Sequence, residues 1–286
     1  MTSCFHMARL PRAITLLSLL AGCGPSPSNS ADLGTNTPRD SDLPSVCPGA
    51  GTPTRYRITT LHIPTSDDVT AGNVAIGHNV DHVGTVCSVP DHTGGVDNAL
   101  IELAEALPNL APDDPIDLQG EIDNALNCPA DAPASECTRL DLFVSVATGD
   151  GCVLVSVLDE QDATLAGPFA GSLASNGDVR GEVPQLALAI PYQTPTGAVD
   201  INLAVSGVIL TANLSATSLS NIVLGGSLER TAFEQTIMDL LPLLGSEITF
   251  ESIAPILASL YDVQVDGTCA ALSVGLTGAA TVVAAP

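Results

Sequence analysis

From Val199 to Ala216 the chain alternates between apolar and small or polar residues. Val199, Ile201, Leu203 and Val205 share one parity, then Val208, Leu210, Ala212 and Leu214 share the other, and the phase slips by one at Gly207. Spacing of two places successive side chains on opposite faces of a strand, so a run of this length demands a sheet with one dry face. Such a pattern belongs to antiparallel sheets, which can leave the second face wet. A glycine at the slip reads as a β-bulge, where one extra residue bends the strand.

Other segments take their places around this one. Arg55–Ile63 alternates and is β-branched, and Val74–Val80 reads as a further strand. Leu140–Ala147 and Cys152–Leu158 flank Gly149-Asp150-Gly151, a hairpin signature. Leu186, Leu188 and Ile190 alternate, and Cys269–Val283 forms a last strand, too polar and glycine-rich to span a membrane. Asp97–Leu107 carries Leu100, Leu103 and Leu107 as one helical stripe, with Pro108 as its stop, and Asp117–Leu126 carries Leu118, Ile122 and Leu126. Two more helices are expected over Leu228–Leu241, with Phe233, Ile237 and Leu240 on one face, and over Ser252–Tyr261. Val96-Asp97-Asn98-Ala99-Leu100 and Ile122-Asp123-Asn124-Ala125-Leu126 match, but the segments around them do not align, so no repeat architecture follows. The fold class expected is β-rich α+β: an antiparallel sheet or sandwich with helices packed on one side, in a single domain over 47–286. Its core must be aliphatic, because the chain has no Trp, three Tyr and five Phe. Aromatic platforms for sugars or single-stranded nucleic acid are correspondingly scarce.

The N-terminus carries a different message. Arg9 and Arg12 precede the apolar run Ala13–Leu20, and Leu20-Ala21-Gly22-Cys23 follows. This order of basic residues, short apolar stretch and small residues before a cysteine resembles the signal peptide and lipobox of bacterial lipoproteins. The resemblance implies cleavage after residue 22 and acylation of Cys23. Gly24, where an aspartate would retain the protein on the inner membrane, implies the outer membrane, on its periplasmic face or at the cell surface. Several acyl chains make a durable anchor where one is marginal. Residues 24–46, rich in Pro, Ser, Asn and Asp, read as a disordered tether with an r.m.s. reach of roughly 27 Å. The folded part resembles surface lipoproteins of Gram-negative bacteria, a likeness that brings no activity with it.

Export fits the cysteines and the charge. Cys4 and Cys23 aside, Cys47, Cys87, Cys128, Cys137, Cys152 and Cys269 suit three disulfides in an oxidising compartment. Cys128 and Cys137 bracket a short loop and are expected to pair. Cys152 and Cys269 each follow a glycine-containing turn and open an apolar run, so they are paired next, leaving Cys47 with Cys87. Residues 1–22 contain Arg9 and Arg12 and no acid, so their removal takes the formal charge from −24 to −26. There is no lysine. Such a surface repels nucleic acid and anionic lipid, so the partners expected are the membrane through the anchor, and a protein or lipid.

The sequence holds no G-x-S-x-G, Walker A, dinucleotide or H-E-x-x-H motif. One segment gathers chemistry, His78–Asn98. It contains three of the four histidines beyond residue 22, with Asp81, Asp91, Asp97 and Asn98 on a glycine-rich loop before a helix. Carboxylate and amide oxygens at Asp81, Asp91, Asp97 and Asn98 suit a calcium ion, although the EF-hand spacing is absent. His78, His82 and His92 offer a zinc alternative. The plain structural alternative is a solvated loop with Asp97 capping the helix. Three functions follow from these readings. The first is a non-enzymatic structural or interaction lipoprotein, calcium-stabilised. The second is an apolar-ligand or lipid-binding lipoprotein whose sheet closes around its guest. The third is a hydrolase whose site has no recognisable motif.

Overall fold

The computed structural model describes residues 43–72, 75–87, 89–110, 116–133, 136–194, 197–243 and 248–284. The signal, the lipobox with Cys23 and nearly all of the spacer lie outside the described residues, as does Val74.

Strand β1 (Thr54–His62) is followed by a long connection holding α1 (Ser66–Ala71), α2 (Leu100–Leu110) and α3 (Leu118–Asn127). Six strands then run in a meander: β2 (Phe143–Thr148), β3 (Cys152–Leu158), β4 (Thr164–Leu173), β5 (Asp178–Thr194), β6 (Gly197–Leu214) and β7 (Ser218–Glu229). A second long connection holds α4 (Arg230–Leu240), a short 3-10 turn, α5 (Phe250–Leu260) and β8 (Val263–Val265) before β9 (Thr268–Val282). Every neighbouring pair is antiparallel, and β9 pairs with both β7 and β1. The sheet therefore closes on itself as an eight-stranded barrel, with β8 a short hairpin partner at the start of β9. The antiparallel sheet is the one expected; closure, rather than sandwiching, buries its dry face and removes its edges.

Eight strands leave an interior that side chains can fill. Tyr56, Val144, Val155, Phe169, Leu186, Leu224 and Leu272 are among the buried residues that fill it. On β6, Asp200, Asn202 and Ala204 face out. The slip at Gly207 is a bulge: φ is +59° there, and the register against β7 shifts between Ser206 and Ile209.

At one end of the barrel the strands join by tight turns, at Gly149–Gly151, before Asp178, and between Leu214 and Ser218. Both long connections, and with them all five described α-helices, lie at the other end. Three have local reasons to start where they do. Thr65 and Asp68 form a capping box on α1, Asp117 accepts the Gly120 N–H at α3, and Glu229 accepts two N–H groups at α4. No described helix is long and apolar enough to cross a membrane.

Several expectations change. Residues 75–80 form no strand; His78 makes only an isolated bridge to Asp97. Pro108 does not stop α2 but sits in its last turn, where its missing N–H leaves only the Ala104 carbonyl without its helical donor. Leu228 belongs to β7, inside the barrel opposite Leu272, and the helix begins two residues later behind the Glu229 cap. Strands β4 and β7 were not anticipated.

Cys128–Cys137 pairs as expected, but the other bridges are Cys47–Cys152 and Cys87–Cys269. The reason is topological. Cys152 opens β3 at the tight-turn end, and Cys269 lies at the start of β9, at the helical end. The barrel length keeps their Cα atoms far beyond the approximately 7 Å limit for a disulfide. Three disulfides suit an oxidising compartment, outside the reducing cytosol.

Candidate functional site

The helices do not pack on a flank of the sheet; they roof one mouth of the barrel. α3 rests on β1 and β5, α4 on β6, β7 and β9, and α2 on β9 and α5. Gln119 fixes α3 to the end of β1: it accepts the Ile63 N–H (2.7 Å) and donates to the Leu61 carbonyl (3.1 Å). The β5–β6 hairpin outreaches its neighbours and forms a wall beside the roof. Under it lies a cavity of about 120 Å³. Leu100, Leu103 and Leu107 of α2 and Phe233, Ile237 and Leu240 of α4 face it, the two stripes legible in the sequence. Leu188 and Ile190 of β5, with Ile201 and Leu203 of β6, close the side. Among the described residues no polar atom faces the void, although Glu121 and Tyr192 contribute carbon to its wall. An apolar cavity of about this size stays dry and can hold a benzene-sized guest.

Against this wall, on its outer side, is a second hollow of about 300 Å³ bounded by α3, the 136–138 loop and the β5 tip. Glu121 and Tyr192 line both spaces. Glu121 Oε2 accepts the Gln193 N–H at 3.3 Å. Gln193 Oε1 is buried without a hydrogen-bond partner. Sequence reasoning missed Glu121 and Gln193; the one available signal was a carboxylate beside the Leu118–Ile122 stripe.

The His78–Asn98 loop lies elsewhere, on the outer face of β7 and β9. His78 packs on Gly225, with Nε2 3.3 Å from the Val223 carbonyl, and burial pushes its pKa down to about 4. His92 Nε2 lies 3.4 Å from the Asn98 carbonyl, and His82 is exposed. Asp81 accepts the Val83 N–H and Asp91 accepts the Thr85 hydroxyl. Asp97 and Asn98 are 3% and 1% exposed, and both have structural partners. Asp97 does not cap α2; it accepts the Val80 N–H at 2.8 Å and holds the loop closed. Among the described residues, no group of three or more His, Cys, Asp or Glu is placed to hold a metal ion. Asp91 Oδ2 and Asn79 Oδ1 are buried and unpartnered, but two oxygens fall short of the six to eight calcium takes.

Asn98 does something else. Along one edge of β9, β8 pairs only as far as Ala271 and β1 begins at Thr277. The gap is filled by side chains. Asp262 Oδ1 accepts the Ser273 N–H (2.8 Å), and Asn98 accepts the Gly275 N–H (2.8 Å) while donating to the Gly275 carbonyl (3.2 Å). The Asn98 amide thus stands in for a missing strand. Only glycine fits opposite it, because a Cβ on Gly275 would come within 2.4 Å of the Ile76 carbonyl oxygen.

Burial pushes the Asp97 carboxyl up to about 7, helped by Asp81, Asp262 and Asp91 and opposed by the Val80 N–H. The folded chain therefore keeps a proton there that the unfolded chain releases near pH 4. Stability from this group is full below that pH and is lost as pH rises through about 7. Asp97→Asn, which still accepts from Val80, should stabilise the protein more at pH 8 than at pH 4.5. The difference should be about 3 kcal/mol, or about 9 °C in Tm. Equal gains at both pH values in thermal melts would rule this out.

No protein-family model matches the chain, and no curated protein and no solved structure matches it.

Proposed function

We propose that this chain is an exported lipoprotein, held to the outer membrane by acyl groups on Cys23, that receives an apolar ligand beneath its helical roof. The carrying observation is the wholly apolar cavity at the barrel mouth. A packed core gains nothing from such a void, since unfilled cavity volume costs stability. Its wall is aliphatic on nearly every side, which suits alkyl chains better than ring systems that need stacking partners. The roof consists of separate short helices on two connections, a construction able to part without opening the barrel ladder. The Leu20-Ala21-Gly22-Cys23 box and the three disulfides support the compartment.

Native protein extracted into organic solvent should yield bound lipid by mass spectrometry. Purified protein should bind n-alkyl alcohols with affinity rising about fourfold per methylene until the space is filled, as about 0.8 kcal/mol per buried methylene requires. Ile237→Trp, which fills the void from α4, should abolish the gain. Finding neither co-purified lipid nor saturable, chain-length-dependent binding would remove the proposal.

A further inference from the structure

The two hollows at the roof differ in chemistry and share a wall. The inner one is all carbon; the outer one is rimmed by Glu121, Asn124, Glu136, Thr138, Tyr192 and Gln193. What the outer hollow lacks is a cation: among the described residues no Arg or His lines it, and the chain has no lysine. Three of its groups, the carboxylates of Glu121 and Glu136 and the amide oxygen of Gln193, accept hydrogen bonds. The Gln193 oxygen is buried with no donor, a state that costs free energy until a donor arrives. Asn124 comes from the second copy of the matched five-residue motif. Its counterpart Asn98 is spent on the barrel seam, whereas Asn124 is exposed at this rim. The Cys128–Cys137 bridge fixes the loop that brings Glu136 there.

We infer that the ligand is a single-chain amphiphile with a hydrogen-bond-donating, positively charged amine head, its alkyl chain in the inner cavity and its head in the outer hollow. This rests on the reading of the inner cavity as an apolar-ligand site. An anionic head, carboxylate or phosphate, would meet two carboxylates and a carbonyl oxygen with nothing to neutralise it. An ammonium head would give the Gln193 oxygen the donor it lacks and the Glu121 and Glu136 carboxylates charge-assisted ones, with Tyr192, which lines both hollows, where head and chain would meet.

The test is calorimetric titration of the full chain with pentylammonium, pentanoate and pentanol, whose chains suit a cavity of about 120 Å³. Pentylammonium should bind at a concentration at least about tenfold below pentanoate, as a charge-assisted hydrogen bond allows. In Glu121→Gln and in Glu136→Gln the preference should shrink while pentanol is unaffected. Glu136 is exposed, so its variant keeps the fold even if the Glu121 variant does not, and melting curves confirm both. Either substitution barely alters the total charge, so an undiminished preference in both would mean long-range attraction and overturn the head assignment. Equal binding of all three compounds overturns it too, while leaving the alkyl site standing. Binding of none overturns the alkyl site itself.

Discussion

Asn98→Leu should lower the thermal midpoint by about 10 °C. Leucine keeps the branched skeleton of asparagine with bulkier methyl ends, so the change creates no void and adds crowding over Gly275. What it removes is the set of hydrogen bonds to the Gly275 N–H, the Gly275 carbonyl and the Ile76 carbonyl. All three groups stay buried and lose their partners, at about 1–3 kcal/mol each. A total of about 3–5 kcal/mol follows, allowing for partial relaxation, and a 150–250-residue domain loses about 2–4 °C per kcal/mol. Asn98→Asp is the informative companion. It keeps the acceptor for Gly275 but loses both donations and buries a charge. It should be at least as damaging at pH 8, and milder at low pH, where the carboxyl can donate. A loss below about 1 kcal/mol in Asn98→Leu would mean that solvent reaches the seam and that the amide is not the strand substitute described.

Removing the Cys87–Cys269 bridge with Cys87→Ser and Cys269→Ser together should cost about 5 kcal/mol in urea unfolding at most and about 3 kcal/mol at least. The bridge closes a span of 182 residues, the longest of the three, so it withdraws the most freedom from the unfolded chain. It also ties the loop that ends at Asn98 to the β8–β9 hairpin at Cys269. The two perturbations are therefore coupled. Combining Asn98→Leu with the loss of this bridge should cost less than the sum, because a loop already free at one end has less order to lose. Strict additivity would show that bridge and amide hold independent parts of the molecule.

The alternation around Gly207 made β6, its bulge and its dry face legible, since the period depends on nearest neighbours alone. The stripes on α2 and α4 were equally local, and both face the cavity. Strands β4 and β7 escaped for a physical reason. Gly167, Pro168 and Gly171 in one, and Leu224-Gly225-Gly226 in the other, read as loop. Their glycines instead make room: His78 lies on Gly225, and a Cβ on Gly226 would come within 2.5 Å of Val205. Asn98 read as a metal ligand because its partner, Gly275, is 177 residues away. The disulfide exchange has the same origin, because similar turns before Cys152 and Cys269 say nothing about which end of a barrel each strand starts from. Glu121 and Gln193 form the candidate head site only because α3 docks on the β5 tip, a contact no local pattern announces.

The chain enters and leaves the barrel on the same side as the tight turns. Cys47 is bonded to Cys152 beside Gly149, and Val283 donates to the Arg55 carbonyl beyond the end of β9. Any pull exerted through either terminus is thus received by a ring of closed ladder and covalent bridging. The opposite pole lies off that line, so parting of the helical roof would not strain the ladder that takes the pull of the proposed anchor.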